Sequence, residues 1–119
     1  MRIDVLGPVP ETIDERPVLR WFGDDGKTKN GHSVILRLVY RGVKILLGGD
    51  LNIPSERYLL NHYTGLDSDR EEDHEALVTT ARETFAADVA KACHHGSAEF
   101  TDLFLRGQLA GHRHLEWRR

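Results

Sequence analysis

At 119 residues the chain has room for one domain and little for two. Hydrophobic residues make up 39% and charged residues 29%, too apolar a balance for a disordered chain. The net charge of −3 argues against a free-standing nucleic-acid-binding module, which is usually basic. It does not argue against a metal-dependent nuclease, because bound cations add charge that the residue count omits.

The N-terminal MRIDVLGPVP carries one basic residue and a short apolar run broken by two prolines, unlike a signal peptide. Within it Ile3 to Gly7 predicts a strand, which Pro8 and Pro10 end. Residues 11–31 contain ETIDERP and then DDGKTKNG, and the second piece predicts a polar, turn-rich loop. Ser33 to Tyr40, SVILRLVY, is β-branched and aromatic and predicts a strand. VKILLGG follows after Arg41-Gly42 alone, and a two-residue connection with glycine second predicts a β-hairpin. Apart from Arg37 and Lys44 both strands are apolar, a pattern usual for strands covered on both faces.

Pro54 suits the first turn of a helix, with Asn52 ahead of it and Leu59, Leu60 and Tyr63 as its apolar side. A second helix is expected from about Glu71 to Ala86. Glu71, Glu72 and Asp73 sit at its positive end, and Leu77, Val78, Ala81 and Phe85 form its stripe. Ala87 to Cys93 predicts a further strand. Ser97 is the expected cap of a last helix bearing Phe100, Leu103 and Phe104, with Gly107 as its stop. The tail GQLAGHRHLEWRR shows no clear period. No stretch approaches the ~20 apolar residues of a membrane span. The element pattern implies an α/β fold, with α+β as the alternative. The single cysteine, Cys93, excludes an internal disulfide and fits a reducing compartment. The chain is therefore expected to be soluble and cytoplasmic, with no membrane partner.

Two places can carry chemistry, ILLGGD (residues 45–50) and CHHGS (residues 93–97). Each ends an apolar strand, where side chains are held by a sheet and open to solvent. Gly48 and Gly49 remove bulk beside Asp50. Aspartate oxygen with histidine nitrogen suits zinc, manganese or iron. The plainer readings are a turn aspartate and polar surface at a strand end. Only folding can bring together Asp50 and His94, which lie 44 residues apart. Cys93 alternates away from His94 and reads as a small buried hydrophobe. His32, His62 and His74 read as surface residues, and His112-x-His114 as part of a solvated basic tail.

The succession N-x-x-S-V-I-L-R-L, K-I-L-L-G-G-D, S-E, and A-D-V-x-K-A-C-H-H-G-S resembles the second half of a metallo-β-lactamase-fold hydrolase. The branch it resembles holds the hydrolase domain of the DNA-internalisation competence protein ComEC and its relatives. The likeness spans residues 1–106 and leaves 107–119 as a non-matching tail. It rests on Asn30, Ser33, Gly49, Asp50, Glu56, Asp88 and His94 to Ser97. It implies half of an αβ/βα sandwich, a mixed sheet with helices on one face. It further implies Asp50 as a metal-bridging carboxylate, His94 or the adjacent His95 as a ligand, and Asn30 and Ser33 as structural residues. Zn²⁺ is the implied metal, with Mn²⁺ or Fe as alternatives, in a two-metal site that hydrolyses a phosphodiester such as DNA.

That family's main metal motif, His-x-His-x-Asp-His, lies in the first half of its fold and does not occur in this chain. The chain alone is expected to bind metal weakly, since a catalytic zinc takes about three protein ligands. A bare sheet face is also expected, covered by a missing N-terminal half or by a homodimer through the sheet. The competing readings are a non-catalytic remnant or interaction module retaining the fold, and a nucleic-acid-binding module without catalysis. The acidic run DSDREEDHE speaks against the last.

Overall fold

The computed structural model describes residues 1–91 and 102–116. Its elements are β1 (Arg2–Gly7), β2 (Glu11–Ile13), β3 (Arg16–Val18), α1 (Asp25–Gly31), β4 (Ile35–Tyr40), β5 (Val43–Leu47), α2 (Ile53–Thr64), a 3₁₀ turn (Glu71–Asp73), α3 (His74–Phe85), β6 (Ala87–Lys91), α4 (Asp102–Gln108) and β7 (Leu109–Glu116). Five strands form one mixed sheet in the order β1-β4-β5-β6-β7, and β2 and β3 form a separate two-stranded ribbon. The fold is thus a mixed α and β architecture, as the pattern of apolar segments implies.

The first three sheet strands run antiparallel. Arg41 and Gly42, with φ of 50° and 80°, close the expected β4–β5 hairpin, and Tyr40 pairs with Val43. β6 then lies parallel to β5, with Leu47 opposite Lys91. A parallel pair cannot be joined by a tight turn, so residues 48–86 cross over, carrying α2 and α3.

Both helices pack on one face of the sheet. The buried cluster joins Ile35, Leu46, Ala87 and Ala90 of the sheet to Leu59 and Leu60 of α2, Leu77, Val78, Ala81 and Phe85 of α3, and Leu103 and Phe104 of α4. Phe85 links the three helices, with its ring centroid 5.4 Å from that of Tyr63 and 5.1 Å from that of Phe104. Arg37 lies on this covered face. Its guanidinium donates to Asp4 Oδ2 at 3.4 Å and to the Glu83 carbonyl at 3.2 Å, so the charge is buried with partners. The opposite face shows none of this. Ile3, Val5, Tyr40, Val43 and Val89 are exposed there, and no described helix covers them. Among the described residues, helices therefore cover β4 and β5 on one face, as expected for a mixed sheet with helices on one side.

Other expectations are corrected. The loop expected in DDGKTKNG is α1. Asp24 caps it by accepting from the Lys27 amide at 2.7 Å, and Gly31 lets the end of α1 press on Phe22 and Ser55. ETIDERPV forms the β2–β3 ribbon, turned by Asp14 and Glu15, both with positive φ. The tail without period supplies β7, whose order comes from parallel pairing with β6. Gly107 is no helix stop. It lies within α4, where an added Cβ would stand 3.2 Å from Ala81 Cβ, so it permits close approach of α4 to α3. The second helix begins as a 3₁₀ turn at Glu71 and becomes α-helical at His74. The expected Ser97 cap, Phe100 and Cys93 lie outside the described residues.

Helix α2 follows its predicted start, with Asn52 and Ser55 forming a reciprocal capping box. Tyr63 ties it to β1 by donating its hydroxyl to the Leu6 carbonyl at 2.5 Å, and Tyr58 donates to the Val9 carbonyl at 2.9 Å. Burial raises the pKa of Tyr63 above its ordinary 10.0. Tyr58 is raised chiefly by burial and then by Glu11, against Arg20. The fold favours both neutral phenols. Their contribution is complete below the unfolded value of 10.0 and is lost as pH rises through the higher folded values. Urea midpoints measured from about pH 8 to about pH 11 are expected to fall above roughly pH 10. Tyr63→Phe should lower stability by about 1 kcal/mol at neutral pH and flatten that alkaline fall.

Candidate functional site

β5 ends at Leu47, and the chain turns through Gly48 and Gly49 into Asp50. Ser33 fixes this turn. Its hydroxyl donates to the Asn30 carbonyl at 2.6 Å and accepts from the Asp50 amide at 3.1 Å. Gly49 has φ of 58°, and an added Cβ would lie 2.6 Å from Ser33 Cβ. The left-handed backbone and the close serine both demand glycine. Ser33 was expected to order the loop into the strand. It also holds the backbone of Asp50 itself, and Asn30 contributes through its carbonyl rather than its side chain.

Beyond Asp50 the chain stays tightly held. Leu51 is fully buried, and Asn52 is buried as the cap of α2 while its amide nitrogen donates to the Lys27 carbonyl at 2.8 Å. Ser55 and Glu56 are buried in the first turn of α2. Asp50 itself is half-buried.

β6 ends at Lys91, the register partner of Leu47. Asp50 lies three residues beyond Leu47, and His94 three residues beyond Lys91. The two parallel strands that precede these segments in the chain therefore end side by side, at Leu47 and Lys91. Ligand sites in open α/β sheets collect at the carboxyl ends of parallel strands. His94 and His95 themselves lie outside the described residues, and among the described residues no three His, Cys, Asp or Glu side chains gather as a metal-binding group. Asp88 does not belong here. Its carboxylate accepts from the Lys44 amide at 2.9 Å, tying the far ends of β5 and β6 together.

The other described histidines differ. His32 stacks on Phe22 at 4.7 Å, and its Nε2 lies 2.8 Å from the Arg20 carbonyl. His74 Nε2 lies 2.9 Å from the Ser68 carbonyl. Both are half-buried loop fasteners rather than surface residues, whereas His62 is exposed. The backbone of His112 and His114 belongs to β7 rather than to a free tail. Sequence reasoning passed over an open groove of about 500 Å³ lined by Glu11, Thr12, Arg20, Tyr58, Asn61 and His62. There Arg20 is paired with Glu11 at 2.6 Å and lies 5.0 Å over the Tyr58 ring, which keeps its cation engaged internally.

No family model, curated protein or solved structure matches the chain. No helix among the described residues is long and apolar enough to cross a membrane.

Ser33→Ala should leave the Asp50 amide without its partner and cost about 1 kcal/mol in urea denaturation. Gly49→Ala should cost more, roughly 2–3 kcal/mol, because left-handed strain adds to the clash with Ser33. Equal losses for the two would speak against steric closure of this turn.

Proposed function

We propose that the chain is the second half of a metal-dependent hydrolase of the metallo-β-lactamase superfamily, of the ComEC-like branch, acting in the cytoplasm on a phosphodiester such as DNA. What supports this reading is that β5 and β6, the strands that precede Asp50 and the CHHGS segment in the chain, are adjacent and parallel, with Leu47 and Lys91 as register partners. The order of the motif residues along the chain supports it.

In this reading Asp50 supplies a hard carboxylate ligand and His94 an imidazole, with His95 as the alternative. Zn²⁺ bound there, or Mn²⁺ or Fe in its place, would lower the pKa of a water and polarise the scissile phosphoryl oxygen. The chain's own part is positional. Ser33 and Gly49 hold the backbone of the half-buried Asp50. The remaining ligands come from outside the described residues.

A second reading is a non-catalytic interaction module that keeps the fold. It is favoured by one observation: Asp50 is not joined by two further ligand side chains among the described residues.

Zinc titration by calorimetry separates the two. The hydrolase reading expects weak binding by the wild type and at least ~10-fold weaker binding by Asp50→Ala, with little phosphodiester cleavage by the chain alone. Zinc affinity unchanged by Asp50→Ala would remove Asp50 from the site and leave the interaction module. Stoichiometric zinc with robust cleavage, both lost in Asp50→Ala, would overturn the incomplete site.

A further inference from the structure

On the face of the sheet turned away from the helices, β1, β4, β5 and Val89 of β6 carry a run of apolar residues. Register places Val5, Leu36 and Leu47 in one row that reaches the position of Lys91 on β6, and Ile3, Leu38, Ile45 and Val89 in the next. Tyr40 and Val43 pair at its hairpin end. Ile3 is 52% exposed, Val5 67%, Tyr40 52%, Val43 46% and Val89 37%, while Leu36, Leu38, Ile45 and Leu47 are half-buried. None of these nine belongs to the buried core.

We propose that a second copy of this chain covers this face, sheet against sheet. The area fits. At ~200 Å² for a fully exposed large side chain, the surface left open is roughly 600–700 Å². That exceeds the ~300–600 Å² of the largest patch on an ordinary monomer and approaches the ~800 Å² each partner gives to a stable interface.

The character of the surface fits too. The nine positions carry no charge, so the complementary surface is an equally apolar sheet of the same extent. The chain's own face is such a surface. A two-fold axis lying between the sheets and across the strands sets β1 to β6 of one copy on β1 to β6 of its partner. Apolar rows then meet apolar rows at the ~10 Å spacing of packed sheets. The same operation keeps the register positions of Lys91, His114 and Glu116 at the β6–β7 side of the patch. This assembly follows from the bare face alone and does not depend on metal binding.

Sedimentation equilibrium of the full chain tests it. The wild type is expected at twice its 13.5 kDa chain mass. Val5→Lys with Val43→Lys should raise the dissociation constant at least ~100-fold while the far-UV circular dichroism is unchanged, because each dimer would bury unpaired ammonium groups. Leu19→Lys, at an exposed apolar residue outside the five-stranded sheet, should leave the dimer intact. If the lysine pair unfolds the chain, Ile3→Thr with Tyr40→Ser carries the same comparison. A wild type monomeric at ~100 µM, more dilute than a weak millimolar contact needs, overturns the proposal. If that monomer also binds an apolar dye, a different chain covers the face. Open-ended assembly, or a dimer indifferent to the face substitutions, overturns it equally.

Discussion

Parallel pairing of β5 with β6 is the constraint on which the rest of this structure depends. Antiparallel neighbours accept a two-residue turn, as β4 and β5 do, but parallel ones need a crossover of a dozen residues or more. Residues 48–86 supply it, and their helices settle on one side of the sheet. The same connection aligns the ends of β5 and β6, since Leu47 and Lys91 share a register position. One topological fact thus sets both the face the helices leave open and the side-by-side ends of β5 and β6.

The two sides of the sheet solve the burial problem differently. On the helix side, Ile35, Leu46 and Ala90 disappear beneath α2, α3 and α4, and even Arg37 is accommodated through Asp4 and the Glu83 carbonyl. On the other side similar residue types stand open. Among the described residues the fold is thus two layers, the sheet and the helices packed on one of its faces.

Legibility in the sequence tracked the range of the interaction. The β4–β5 hairpin announced itself through Arg41-Gly42 between apolar runs, and α2 through Asn52 and Pro54, because those signals are local. The β2–β3 ribbon was missed because Asp14-Glu15 adopts positive φ without glycine or asparagine. α1 was missed because seven mostly polar residues carry no apolar stripe, and its anchors, Phe22 and Ser55, lie outside it. β7 shows no alternation and owes its form to β6. At the candidate site, Asp50 was found from the two glycines before it. The brace from Ser33 was not, because it spans 17 residues.

That brace has a genetic reading. Gly49 tolerates no Cβ while Ser33 has one beside it, and the Asp50 amide has its hydroxyl partner only while residue 33 is serine or a near equivalent. The two positions, 16 residues apart in sequence, behave as a single heritable unit. A substitution at residue 49 escapes its clash only if residue 33 also loses its Cβ, which gives up the hydrogen bond that holds Asp50, and the left-handed φ strains it even then. A neutral path between the present pair and any other is therefore narrow.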